Sequence, residues 1–255
     1  MRRAVSDLKD LSIAGTDGDI GSLQDVEFDD ASWTVRYLAI DTGTWLPGRR
    51  VLVSPMSVQA VDVSGGRLVV NLTKAQIEAC PSVDADKPVD RQYEVEYSKY
   101  YGCLYCWTGP YRWGATDYAG ETLIGVAAPL PVIEPPPPMP IEEPGDAHLR
   151  SASDVTGYYI EATDGDIGHV QDFLVDDRAW AIRYLIVDTR NWLPGKQMII
   201  SPEWVSRVSW SDSRVYVDLT RASVKAAPEY ESARPLEREH ESRLYGHYKR
   251  PQYWR

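Results

Sequence analysis

Thr16-Asp17-Gly18-Asp19-Ile20-Gly21 returns as Thr163-Asp164-Gly165-Asp166-Ile167-Gly168, an offset of about 147 residues that marks an internal duplication. From that stretch the match runs outward without a gap. Trp33 answers to Trp180, Arg36-Tyr37-Leu38 to Arg183-Tyr184-Leu185, Asp41-Thr42 to Asp188-Thr189, and Trp45-Leu46-Pro47-Gly48 to Trp192-Leu193-Pro194-Gly195. Further along, Ser54-Pro55 answers to Ser201-Pro202 and Leu72-Thr73 to Leu219-Thr220. Roughly half of ~70 aligned positions are identical, and the period is far longer than the ~20–50 residues of solenoid repeats, so each copy is expected to be a complete domain with its own core.

This divides the chain into a first copy over 1–128, with a barrel core at 12–83 and an aromatic arm at 88–128, and a second over 149–255, with a core at 159–230 and an arm at 235–255. Between them lies 129–148, which holds Pro135-Pro136-Pro137-Pro138, then Pro140 and Pro144. Such a run favours an extended polyproline helix and reads as a semi-rigid spacer.

Within the first copy short apolar stretches, Ile20 to Phe28, Trp33 to Asp41, Arg50 to Val53, Val58 to Val63 and Arg67 to Leu72, alternate with turn residues such as Asp17-Gly18, Pro47-Gly48 and Gly65-Gly66. That spacing predicts a small all-β barrel or sandwich. In the stretch from Trp33, residues at both even and odd positions are apolar, so one face is expected to fill the core and the other to be covered by a second layer. Thr73 followed three residues later by Gln76 predicts a capped helix start. In the second copy Thr220 has Ser223 in place of the Gln.

The ordered string of the Asp-Gly-x-Ile-Gly turn, the Arg-Tyr-Leu-x-x-Asp-Thr strand, the Trp-Leu-Pro-Gly loop and the strand ending in Ser-Pro resembles the PRC-barrel family, in both copies. The resemblance implies two antiparallel β-barrels in tandem, each with a short helix, and a role in docking macromolecules without catalytic residues. The family includes the cytoplasmic barrel of the photosynthetic reaction-centre H subunit and a ribosome-maturation factor. This chain has neither the transmembrane helix of the former nor the separate N-terminal domain of the latter, so neither specific role carries over; an H-subunit-like part in photosynthetic assembly stands as an alternative.

A formal net charge of −11 and an isoelectric point near 4.9 work against nucleic acid or an anionic membrane as partner, because such binding draws on Lys and Arg. No stretch has the ~20 apolar residues of a membrane-spanning helix. Three cysteines make no disulfide framework and fit a reducing compartment, which places the chain in the cytoplasm.

Candidate sites are few. Asp17, Asp19, Asp164 and Asp166 lack the spacing of a calcium loop and read as hairpin turns. Cys103 and Cys106 have half the ligands of a zinc site and, with Tyr101-Gly102 set against Tyr245-Gly246, stand opposite His247 and Arg250 in the second copy, leaving them weak metal candidates; no cofactor is expected. No nucleophile, phosphate-loop or dinucleotide motif is present, so no enzyme is expected. The interface candidates are aromatic: Trp45, Leu46, Trp192 and Leu193 in the repeated loop, Tyr100, Tyr101, Trp107, Tyr111 and Trp113 in the first arm, and Tyr245, Tyr248 and Trp254 in the second. Tyr and Trp join a large apolar area to a polar tip and suit interfaces or partly wet packing. The expectation is a non-catalytic interaction or assembly scaffold binding protein partners, its two barrels packed against each other, compatible with a homodimer; the alternative is a small-ligand or metal sensor.

Overall fold

The computed structural model describes residues 1–47, 49–81, 89, 91–102, 111–113, 116–119, 148–189, 196–232 and 234–254. The first copy contributes β2 (Ser12–Gly15), β3 (Gly18–Asp29), β4 (Thr34–Asp41), β5 (Val51–Val53), β6 (Val58–Asp62), β7 (Arg67–Val70), α2 (Lys74–Ala79) and α3 (Arg91–Tyr101). The second repeats the series as β9 (Tyr159–Ala162), β10 (Gly165–Asp176), β11 (Ala181–Asp188), β12 (Gln197–Ile200), β13 (Val205–Ser209), β14 (Arg214–Val217), α5 (Arg221–Ala226) and α6 (Arg238–Tyr248). Each series is preceded by a short strand and a helical turn: β1 (Arg2–Ala4) and α1 (Val5–Leu8), then β8 (Leu149–Ser151) and α4 (Ala152–Val155).

In the first copy the hydrogen-bonded order is β6-β7-β2-β3-β4-β5, and in the second β13-β14-β9-β10-β11-β12. All pairings within these two orders are antiparallel except β2 with β7 and β9 with β14. Among the described residues the sheets do not close: β5 and β6 are joined by a 3-10 turn at Pro55–Ser57, yet no ladder joins them. The expected ring of strands is thus an open sheet among the described residues.

The D-G-x-I-G motif explains itself at the β2–β3 and β9–β10 hairpins. Gly18 and Gly165 have φ of +136° and +129°, backbone open to glycine alone. A Cβ on Gly21 would lie 1.9 Å from the carbonyl oxygen of Asp41, and one on Gly168 2.0 Å from that of Asp188. The core comprises Ile13, Ile20, Leu23, Phe28, Leu38, Leu52 and Leu68 in the first copy, and Ile160, Ile167, Phe173, Leu185 and Val215 in the second. The second layer expected over the doubly apolar strand is α3, whose Tyr93 and Tyr97 meet Tyr37 edge-on at 5.9 and 5.0 Å. Thr220 does form a capping box: Ser223 Oγ accepts from the Thr220 N–H at 3.2 Å, so a serine hydroxyl serves where the first copy uses Gln76.

The compact units do not follow the sequence boundaries. One unit holds Asp7–Ser151 and Asp177–Ala181; the other holds Met1–Ser6, Ala152–Asp176 and Ile182–Arg255. The division drawn from sequence puts the first residues with the first barrel and 149–151 with the second; in the structure they are exchanged. β1 pairs with β10, Arg2 opposite Asp176, and β8 pairs with β3, Leu149 opposite Asp29. In each case the arriving strand continues the edge of the long strand beyond the point where β9 or β2 ends.

Candidate protein-interaction surface

The exposed chemistry of the second-copy unit gathers on the outward face of β9, β14 and β13. Alternation along the strands turns Ile160, Val215 and Val217 into the core and their neighbours outward. The parallel β9–β14 register sets Arg214 beside Tyr159 and Tyr216 beside Glu161, and β13 brings Arg207 opposite Tyr216. The Arg207 guanidinium lies 4.1 Å from the Tyr216 ring centroid and that of Arg214 5.6 Å from Tyr159. Arg214 also pairs with Glu161 Oε2 at 2.7 Å and Asp166 Oδ1 at 2.8 Å. Tyr159 is 56% exposed. At the strand ends Tyr158 and Trp210 are 6.1 Å apart.

Arginines already laid on tyrosine rings lose little freedom when a partner covers them, and Tyr, Trp and Arg are the side chains that most often anchor protein interfaces. The first copy supplies a comparison on the same scaffold. There the equivalent positions are Ser12, Ala14, Ala60, Arg67 and Val69, with Ser12 opposite Arg67 and Ala60 opposite Val69 in the same register. The fold therefore forms without the aromatic residues.

The aromatic residues singled out in the sequence lie mostly inside their own units. Trp45 is half-buried; its Nε1–H donates to the Ile20 carbonyl at 2.6 Å and the Lys74 ammonium lies 5.6 Å from its ring. Leu46, also half-buried, accepts from Thr42 through its carbonyl. The loop thus folds back on its barrel. Trp113 is buried, with Nε1–H donating to the Ala179 carbonyl at 2.8 Å and Arg36 at 5.4 Å. Tyr101 and Tyr245 are buried, and Tyr248 and Trp254 are half-buried against Trp204 and Tyr245. Only Tyr100 and Tyr111 among these described residues are well exposed, at 40% and 52%. Trp192, Leu193, Trp107, Cys103 and Cys106 lie outside the described residues. No cluster of potential metal ligands occurs among the described residues.

Matching Tyr101 with Tyr245 by sequence is corrected by the contacts. The Tyr97 hydroxyl accepts from the N–H of Ser54 at 2.8 Å, and the Tyr245 hydroxyl reaches Ser201, the equivalent serine, at 3.3 Å. Tyr97 is the counterpart of Tyr245. The shift still leaves no cysteine opposite Cys103 or Cys106.

Two residues escaped the sequence reading. Glu94 and Glu241 are fully buried on the barrel-facing sides of α3 and α6. Glu241 pairs with Arg2 at 3.0 Å and Arg238 at 3.1 Å and accepts from the hydroxyls of Tyr184 and Tyr253. Burial and this facing carboxylate push the Tyr184 phenol far above its ordinary range. Glu94 meets His148 at 2.9 Å. In both units the buried acid receives a basic side chain from the exchanged segment. A glutamate three or four residues from a barrel-facing tyrosine was the available signal, but nothing in a helix of low hydropathy announced its burial.

The duplicated, mostly antiparallel sheet with its covering helix defines a domain whose family is shown by comparison. The model of the PRC-barrel domain matches residues 2–77 and 148–224; the chain belongs to that family, in two tandem copies. Both matches begin at the exchanged segments rather than at the hairpins. No curated protein matches the chain. No helix among the described residues is long and apolar enough to cross a membrane.

Proposed function

We propose that the chain is a non-catalytic protein-interaction scaffold whose contact surface is the arginine–tyrosine ladder on the second barrel, Tyr159, Arg207, Arg214 and Tyr216. The observation that carries this reading is the difference between the copies: the β9–β14–β13 face of the second carries Tyr159, Arg207 and Tyr216 where the same face of the first carries Ser12, Ala60 and Val69. Family membership supports the general role, and the net charge of −11 favours a protein partner over a polyanion.

The first copy also supplies the control. Substituting Tyr159→Ser, Arg207→Ala and Tyr216→Val places in the second barrel the residues that the first barrel already tolerates. The triple variant is expected to keep the circular-dichroism spectrum and unfolding midpoint of the parent while retaining at least tenfold less of the proteins specifically captured by the parent from cell lysate. Equal capture by both, or no specific capture by the parent, would refute the proposal.

A further inference from the structure

The exchanged segments point to a second interaction surface with a definite partner. Each barrel presents an acceptor edge on its long strand, Glu27–Asp29 on β3 and Leu174–Asp176 on β10, and each edge is filled by a segment that is not the barrel's own. The segment seats through side chains as well as the ladder: Arg2 to Glu241 and to the Tyr253 hydroxyl, the latter at 2.7 Å, and His148 to Glu94, Arg150 to Asp30 and Ser151 to Asp25. None of these contacts is enforced by local chain connection; the Arg2–Tyr253 pair is separated by 251 positions. The turns that let the segments leave their own barrels hold left-handed residues, Asp10 at φ 65° and Gly157 at φ 94°.

We infer that these edges accept the same segments from a second copy of this chain, so that two chains associate by reciprocal strand exchange. A pairing made between distant parts of one chain has the same contacts when made between two, and differs only in the tether. Segment exchange is for this reason a low-cost route to dimers. The tether favours the single-chain form by an effective concentration on the order of a millimolar, so the two-chain form grows with the concentration at which chains fold.

The test uses the full chain with Cys80→Ala, Cys103→Ser and Cys106→Ser as background. Arg3 pairs with Val175. A chain carrying Arg3→Cys and one carrying Val175→Cys are mixed, unfolded, refolded together and oxidised. The expected result is a disulfide-linked species of twice the chain mass whose yield rises at least fivefold between roughly 20 and 500 µM refolding concentration. Arg3→Cys mixed with Gln59→Cys, a site off the register, is expected to stay below a fifth of that yield. The double variant on one chain is expected to link internally. A mixture with no more linked dimer than the off-register control would overturn the inference, as would failure of the double variant to link at all. Neither outcome bears on the ladder, whose test depends on different residues.

Discussion

Glu241 shows what a single buried charge requires. Its carboxylate is fully buried, and removing it from water would cost several kcal/mol if it were left alone. Arg2, Arg238, Tyr184 and Tyr253 surround it instead. Arg2 is the one partner that arrives on an exchanged strand. Replacing it by alanine is expected to lower stability by about 2–4 kcal/mol, since the acid stays behind with one cation fewer. Urea unfolding measures this, and amide exchange should locate the loss at Arg3 and Ala4. Arg238→Ala, which removes the more exposed cation, is expected to cost less. No loss on Arg2→Ala would mean that the incoming strand owes nothing to the pair.

At the scale of elements, the bulged hairpin decides where the long strand bends. The register slips between Ile13 and Ala14 in one copy and between Asp166 and Gly168 in the other, and at those slips the glycine backbone packs on the carbonyls of Asp41 and Asp188. A methyl group there meets backbone, which cannot swing aside as a side chain would. Gly21→Ala and Gly168→Ala are each expected to cost about 3 kcal/mol. Gly43→Ala, where no atom lies within 4 Å but φ is +63°, should cost about 1 kcal/mol through backbone strain alone. Denaturant midpoints of the three variants check the ranking. The helices α3 and α6 are elements of another kind: they are polar on average, and they hold to their barrels by phenol rings and one buried acid each rather than by an aliphatic stripe.

At the scale of the whole molecule, phenols buried in both units tie stability to alkaline pH. Burial raises Tyr93, Tyr101, Tyr184, Tyr245 and Tyr248 well above the ordinary value near 10. Above pH 10 the unfolded chain loses these protons while the folded chain keeps them, so the folded state binds more protons and stability falls as pH rises. The unfolding midpoint is therefore expected to be level between pH 8 and about 9.5 and to drop steeply beyond about 10.5. Phenolate absorbance near 295 nm should rise for the buried set only as the protein unfolds. A smooth single titration of all tyrosines with the fold intact would contradict the burial described.

The duplication, the hairpin turns, the strands and the capped helices were legible in the chain because each depends on neighbours in sequence: a glycine where φ is positive, a period of two along a strand, a threonine before a helix. The covering layer was legible too, from strands apolar on both faces. Tertiary structure alone decided which barrel each leading strand completes, since the pairing of Arg2–Ala4 with β10 and of Leu149–Ser151 with β3 joins residues more than 100 positions apart. It alone placed Glu94 and Glu241 in the interior, and it converted most of the aromatic residues from apparent anchors into packing. Exposure belongs to the assembled surface, and for that reason the ladder at Tyr159, Arg207, Arg214 and Tyr216, scattered over three strands, becomes visible only when the sheet has formed.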